Sequence, residues 1–142
     1  MNSIWRLFIP GKHKPSPRIR PSYVRIEAST VCQLDCPLCP TAKGDVGRLI
    51  GQGFLKFSHF KKFIDKNPSI RGIELSNWGE LFLNNELLDI IRYAHQKNVQ
   101  LTAYNGANLN TVSPKILEAL VKYKFHSITC SIDGTTQETY QI

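Results

Sequence analysis

A chain of 142 residues, 42% of them hydrophobic, is long enough for one domain with a buried core, and a charged fraction of 20% argues against disorder. No apolar run approaches the roughly 20 residues of a membrane-spanning helix, so we expect no membrane partner. The apolar stretch at residues 4–9 is short and contains an arginine, unlike a signal peptide. We therefore expect a cytoplasmic protein whose four cysteines stay reduced.

The formal charge of +7 is concentrated at the start of the chain. Six basic residues and no acidic one precede Glu27, whereas the twelve basic and eleven acidic residues that remain nearly balance. Several prolines in residues 1–22 predict an extended conformation for this segment. Such an arm can bind nucleic acid or an acidic partner. We favour a solvated extension of a domain formed by residues 23–142, without a nucleic-acid partner.

Past residue 23, stretches typical of strands alternate with stretches typical of helices. We predict strands over residues 24–29, 70–77, 99–104 and 127–132, and helices that begin at Ser58, Asn85 and Ser113, with Asp133 or Thr135 capping a further one. The regular alternation predicts an α/β fold with a parallel sheet and outer helices. We expect the first four strands of a partial (β/α)6, TIM-like barrel that is truncated after the fourth strand.

The last predicted helix and strand define one edge of this sheet. The helix is expected to bury Ile116, Leu117, Leu120 and Val121, and the strand to place Cys130 in the core. An apolar strand at the edge of a sheet needs a cover. Another chain or a continuation of this one can supply that cover, and we favour the N-terminal part of a longer protein.

Three cysteines follow the first predicted strand with the spacing C-x3-C-x2-C, namely Cys32, Cys36 and Cys39. Thiolates are soft ligands, and three on one loop can bind one metal centre. Three is one fewer than closed zinc sites or four-cysteine iron–sulfur clusters use, so one metal position stays open for another ligand. The loop lies at the carboxyl end of a parallel strand, where such folds place their ligand sites.

Four segments together resemble the radical S-adenosylmethionine (SAM) enzymes, and most closely those of the SPASM type. They are the cysteine loop at residues 32–41, Ser76-Asn77-Trp78-Gly79-Glu80-Leu81 at the place of the family's G-G-E-P, Tyr104-Asn105-Gly106 at the place of its T-N-G, and Ser131-Ile132-Asp133-Gly134 after the fourth strand. Four segments in the family's order are more specific than the cysteine spacing alone. The resemblance covers the N-terminal portion of the family's core domain.

This resemblance implies that Cys32, Cys36 and Cys39 hold a [4Fe–4S] cluster whose fourth iron binds SAM. In such enzymes one electron, from a donor such as flavodoxin or ferredoxin, cleaves SAM to a 5'-deoxyadenosyl radical. That radical abstracts hydrogen from a substrate, which here is unidentified: a peptide, a sugar or another small molecule. The protein positions SAM and shields the radical.

The resemblance also assigns SAM contacts to the segment after the second strand. Backbone groups of Trp78, Gly79 and Glu80 are expected to hold the SAM ammonium group, and Gly79 allows the backbone to approach a ligand closely. Two positions depart from the family pattern. Trp78 replaces its first glycine and Leu81 replaces its proline.

Four further residues are expected on the same rim. Leu38, where the family often has an aromatic residue, would contact adenine. Asn105, Ser131 and Asp133 would bind ribose, carboxylate or substrate. Their structural alternatives are a turn for Asn105, a helix cap for Asp133 and a small residue at the core edge for Ser131.

Other interpretations stay open at this point. A truncated, catalytically inactive iron–sulfur protein would hold the cluster without turnover, and a simple electron carrier would not respond to SAM. A zinc-binding module associated with nucleic acid would need a fourth ligand, for which His59 and Asp35 are candidates. We prefer the radical SAM interpretation because a zinc module does not need the segments at Gly79 and Asn105.

Overall fold

The computed structural model describes residues 20–110, 112–132 and 134–140. Most of the basic segment 1–22 and Asp133 lie outside these residues, so the predictions made for them are not addressed. Within the described ranges, no helix combines the length and apolar character needed to cross a bilayer.

Four parallel strands form one sheet in the order β1-β2-β3-β4. The strands are β1 (Tyr23–Arg25), β2 (Gly72–Glu74), β3 (Gln100–Ala103) and β4 (Ser127–Ile128). The helices are α1 (Asp45–Ile50), α2 (Phe57–Lys66), α3 (Leu87–Gln96), α4 (Pro114–Lys122) and α5 (Gln137–Tyr140), and a 3-10 turn covers Leu81–Leu83. The predicted α/β fold with four parallel strands is confirmed. In the described part of the chain the sheet stays open, so a barrel is not confirmed.

The two faces of the sheet differ in polarity because side chains alternate along each strand. Ile73 of β2 pairs with Val24 and Leu101, and this apolar row packs against the helices in one core. Residues one position away form a second row on the opposite face. This polar row consists of Arg25, Glu74, Thr102 and Ser127, which are partners in register.

The starts of the helices differ in part from the predictions. Ser113 caps α4 as predicted, because its side chain accepts a hydrogen bond from the N–H of Ile116 and Pro114 is the first helical residue. Ser58, by contrast, lies inside α2, which begins at Phe57. The N–H of Phe57 is bound at 2.6 Å by a distant carboxylate, Glu86.

The start of α3 depends on Asn84 and not on the predicted cap Asn85. The buried Asn84 accepts the N–H of Glu86 through its side-chain oxygen. Its amide group donates to the carbonyls of Ala28 and Leu55 at 2.8 and 2.9 Å. Asn84 therefore joins the chain after β1, the segment before α2 and the start of α3.

The predicted buried face of α4 is wrong for two of its four residues. Leu117 is exposed and Val121 is 82% exposed, whereas Ala119 and Leu120 are buried. The reason is that, among the elements of the described residues, α4 packs mainly against α3, so its apolar stripe is wider than its contact surface. Cys130 is only partly buried and does not belong to the core.

Two further elements differ from the predictions. The strands are shorter than predicted, although single backbone hydrogen bonds such as Thr129 N–H to the Ala103 carbonyl continue beyond β4. At α5, Thr136 and not Thr135 accepts the N–H of Thr139, as a helix cap does. Neither difference changes the order or direction of the strands.

Candidate functional site

The cysteine loop begins after β1 and is anchored at both ends. Thr30 and Gly53 exchange hydrogen bonds across its base, and the Leu55 N–H donates to the carbonyl of Ala28. Within the loop, the Cys39 N–H donates to the Cys36 carbonyl at 3.0 Å and a turn leads into α1. The sequence did not predict α1, which is bounded by Gly44 and Gly51 with φ angles of 78° and 82°. The loop is thus a short folded unit at the carboxyl end of β1.

The backbone around Cys39 favours its thiolate. The N–H group of Ala42 hydrogen bonds to the sulfur and is the main cause of a lowered pKa at Cys39, and groups of Thr41 lower it further. All three cysteines of the loop are free, with Cys36 exposed and the other two partly buried. Thiolate character and access are properties that a metal ligand needs.

The three thiols lie within electrostatic reach of one another. Burial is the main cause of a raised pKa at the Cys32 thiol. A hydrogen bond from the Leu34 N–H lowers this pKa, and the charges of Glu80, Cys39 and Cys36 raise it further. In the part of the chain that the structure describes, no three cysteine, histidine or acidic side chains lie close enough together to hold a metal ion. Thiolates are the donors that a soft metal centre takes, but the described side chains are not arranged around a common point, so the assembly of the centre stays a prediction.

The carboxylate of Glu27, which follows β1, binds the backbone of the segment Asn77–Gly79. The Glu27 side chain accepts the N–H groups of Asn77 at 3.2 Å, Trp78 at 3.0 Å and Gly79 at 3.3 Å. Consecutive N–H groups that converge in this way form an anion-binding nest. Here the anion is a side chain of the protein itself.

Gly79 packs against the chain of the cysteine loop. A Cβ atom at this position would lie 2.1 Å from the carbonyl oxygen of Ser29, too close for any other residue. The next N–H, of Glu80, donates to the Val31 carbonyl at 2.8 Å. The close approach that the glycine permits is therefore an approach to Ser29, and its predicted contact with SAM stays a prediction.

The carboxylate of Glu80 turns into the protein. Its two oxygens accept the N–H groups of Phe82 at 3.1 Å and Asn108 at 2.8 Å, and the residue is only 4% exposed. Burial raises the pKa of Glu80, and these two hydrogen bonds oppose the rise. Leu81, at the position of the family's proline, begins the 3-10 turn and is fully buried.

Two large apolar side chains of the site face solvent. Trp78 is 46% exposed, and its carbonyl accepts the hydroxyl of Thr41 from the cysteine loop at 2.7 Å. Leu38, between two of the cysteines, is 87% exposed. Both side chains are accessible to a ligand at this edge.

Asn105 and Ser131 lie at the same edge of the sheet. The side-chain amide of Asn105 donates to the Ser76 carbonyl at 2.7 Å, and its N–H donates to the Ser76 hydroxyl at 3.1 Å. Gly106 has a φ of 96°, and a Cβ atom there would lie 2.9 Å from the hydroxyl oxygen of Ser131. The ends of β2 and β3 and the chain after β4 are therefore neighbours, as predicted from the parallel sheet.

Sequence reasoning missed the buried carboxylate of Glu74, which is 1% exposed. It accepts hydrogen bonds from the hydroxyls of Ser76 and Thr102 at 2.7 and 2.5 Å and from the N–H of Tyr104 at 2.9 Å. Burial opposes ionisation, but these hydrogen bonds outweigh it and the pKa of Glu74 lies below its usual value. The available signal was an acidic residue between Ile73 and Leu75 in a strand that is otherwise apolar.

The residues proposed as a fourth zinc ligand do not join the cysteines. His59 is exposed on α2 and Asp35 is exposed in the loop. Neither completes a metal-holding group among the residues that the structure covers.

Comparison with known proteins finds similarity in fold and not in sequence. No protein-family model and no curated protein matches this sequence. The fold is similar to that of BtrN, solved in complex with AdoMet (SAM) and 2-DOIA, with a TM-score of 0.63 and 16% identity over 84% of this chain and 49% of that one. A structure of BtrN in an open conformation matches with a TM-score of 0.62 and 17% identity over 83% and 53% of the two chains. This chain spans about half the length of BtrN, and at these identities the similarity establishes the fold alone.

Proposed function

We propose that the chain is a radical SAM protein, or the N-terminal part of one of the SPASM type, with a [4Fe–4S] cluster at Cys32, Cys36 and Cys39. The observation that most supports this proposal is that the segments resembling the family lie together at one edge of the sheet. The cysteine loop and the segment Trp78–Glu80 are joined by direct contacts, and Asn105 binds Ser76 just before that segment. When bound, the cluster and SAM supply one-electron cleavage of a sulfonium bond and removal of hydrogen from a substrate.

The backbone of residues 77–79 is suited to hold the SAM ammonium group. In a trans peptide the carbonyl of one residue points opposite to the N–H of the next. The N–H groups of Trp78 and Glu80 bind Glu27 and Val31, so the carbonyls of Asn77 and Gly79 point away from those acceptors. Carbonyl oxygens are acceptors that an ammonium donor requires.

The exposed side chains at the rim are assigned to the rest of SAM. Leu38 offers its aliphatic surface to adenine, and Asn105 and Ser131 offer polar groups to ribose, carboxylate or substrate. The same assignment for Asp133 rests on the sequence alone. The substrate is a peptide, a sugar or another small molecule, and flavodoxin or ferredoxin supplies the electron.

The test is anaerobic cluster reconstitution followed by electron paramagnetic resonance of the reduced protein, with and without SAM. We expect a [4Fe–4S]+ signal that shifts when SAM is added. Cys32→Ala, Cys36→Ala and Cys39→Ala should each lose the cluster, whereas the matched control Cys130→Ala should keep it, because Cys130 lies outside the loop.

Other outcomes would support the alternatives. A cluster signal that SAM does not change would contradict SAM binding and indicate an electron carrier or an inactive iron–sulfur protein. Bound zinc in a colourless protein would indicate the zinc module. Release of 5'-deoxyadenosine after dithionite and SAM are added would show that these 142 residues suffice for cleavage.

A further inference from the structure

The carboxylate of Glu27 binds backbone groups of the protein itself, next to the proposed SAM site. It accepts hydrogen bonds from three consecutive backbone N–H groups, those of Asn77, Trp78 and Gly79. The nitrogen-to-oxygen distances are 3.2, 3.0 and 3.3 Å. Bonds from N–H groups to a charged acceptor are stronger than bonds between neutral groups. Glu27 therefore sets the orientation of the peptide groups in this segment.

That orientation has a direct consequence for ligand binding. With the N–H groups of Trp78 and Gly79 aimed at Glu27, the carbonyls of Asn77 and Trp78 are aimed away from it. The Trp78 carbonyl is also held by the hydroxyl of Thr41 at 2.7 Å. The Asn77 carbonyl is therefore the group that Glu27 leaves available for the SAM ammonium group, while the Gly79 carbonyl is fixed by the bond from the Glu80 N–H to Val31.

Contacts other than those of Glu27 also hold this part of the fold together. The Glu80 N–H binds the Val31 carbonyl, and Leu81 is buried in the core, so the segment stays attached to the cysteine loop at its far end. The Ile26 N–H binds the Glu74 carbonyl and joins the chain after β1 to β2. Loss of the Glu27 charge should thus let the peptide groups of residues 77–79 reorient and leave the sheet intact.

We propose that Glu27 is a positioning residue for SAM: it fixes the peptide groups of residues 77–79, directs the Asn77 carbonyl toward the SAM ammonium group, and joins that segment to the chain between β1 and the cysteine loop. This inference rests on the proposed function. It adds a residue that contacts neither SAM nor the cluster.

The test compares Glu27→Gln with the matched control Glu86→Gln in the reconstituted full chain. Glu86 also binds a backbone N–H, that of Phe57, but at the start of α2. We expect Glu27→Gln to weaken SAM binding by about 10- to 100-fold, as loss of supporting contacts around a metal site typically does. Iron content and thermal unfolding should stay close to wild type in both variants, and Glu86→Gln should bind SAM normally.

Two further readouts separate positioning from general stability. Amide hydrogen exchange of residues 77–79 should accelerate in Glu27→Gln, and the SAM-induced shift of the cluster signal should need more SAM. If Glu27→Gln does not fold, Glu27→Asp, which keeps the carboxylate but draws it back from the N–H groups of residues 77–79, should weaken SAM binding in the same direction.

Each contrary result has its own meaning. Faster exchange with unchanged SAM affinity would overturn the role of Glu27 and leave the proposed function in place. Equal losses in both variants, in SAM affinity and in unfolding, would show a merely structural role. A wild-type protein that binds the cluster but not SAM would overturn the proposed function, and the positioning role with it.

Discussion

Two glutamates, Glu27 and Glu74, make different kinds of hydrogen bonds. Glu27 follows β1 and binds N–H groups of the neighbouring loop, whereas Glu74 lies in β2 and binds groups of β3. Glu27 is partly exposed, whereas Glu74 is buried, and a buried carboxylate needs hydrogen bonds to offset the loss of water. Glu74 therefore belongs to the stability of the sheet, and its substitution should be visible in unfolding.

We predict that Glu74→Gln destabilises the protein by about 1–3 kcal/mol at pH 7, because the new amide N–H₂ group faces donors. Urea unfolding measures this change. Because the pKa of Glu74 is lowered on folding, its ionised form stabilises the folded state at neutral pH, and this contribution is lost as the pH falls through the lowered pKa. The difference between wild type and Glu74→Gln should therefore shrink in acid.

Glu118→Gln serves as the control for this prediction. Glu118 is exposed on α4, so we expect a change in unfolding free energy within about 0.5 kcal/mol. A Glu74→Gln protein as stable as this control would show that the buried hydrogen bonds do not stabilise the sheet.

Among the elements, the junction before α3 connects three separate segments of the chain. Asn84 binds the carbonyls of Ala28 and Leu55 and the N–H of Glu86. Its neighbour Asn85 is exposed, although the sequence pattern predicted it as the cap. The two asparagines therefore offer a direct comparison of sequence pattern with tertiary contact.

We predict that Asn84→Ala lowers the unfolding free energy by about 1–3 kcal/mol, because the partly buried Leu55 carbonyl loses the Asn84 amide and the buried Ala28 carbonyl loses one of its two donors. Asn85→Ala should change it by less than about 0.5 kcal/mol. Chemical denaturation of both variants is the measurement. Equal changes in the unfolding free energy would show that the bonds of Asn84 to Ala28 and Leu55 do not contribute to stability.

At the scale of the whole molecule, the sheet is most completely packed at its centre. β2 and β3 each pair with a strand on both sides, whereas β4 has a single partner in the described residues. Ile73 and Leu101 are buried between strands and helices. Stability should thus decline from the centre of the sheet toward β4.

We predict that amides of β2 and β3 exchange with deuterium more slowly than those of residues 127–132, by roughly an order of magnitude or more, since local opening is least costly where few groups are buried. Hydrogen exchange followed by mass spectrometry or NMR makes this measurement. Uniform protection across all four strands would mean that β4 is covered in solution.

Local sequence patterns determined the type and order of the main elements and the residues of the cysteine loop. Apolar periodicity depends only on residues that are near one another in the sequence. The sequence therefore predicts α2, α3, α4 and the four parallel strands without tertiary contacts. The Ser113-Pro114 helix start is local for the same reason, and it was predicted at the correct residues.

Contacts between distant residues decided the remainder. Nothing near Glu27 in sequence indicates that it binds N–H groups some fifty positions away, and nothing near Asn84 distinguishes it from Asn85. The exposure of Leu117 and Val121 depends on which surface of α4 packs against α3. These features arise only when the strands align, because parallel pairing brings together groups that the chain itself keeps far apart.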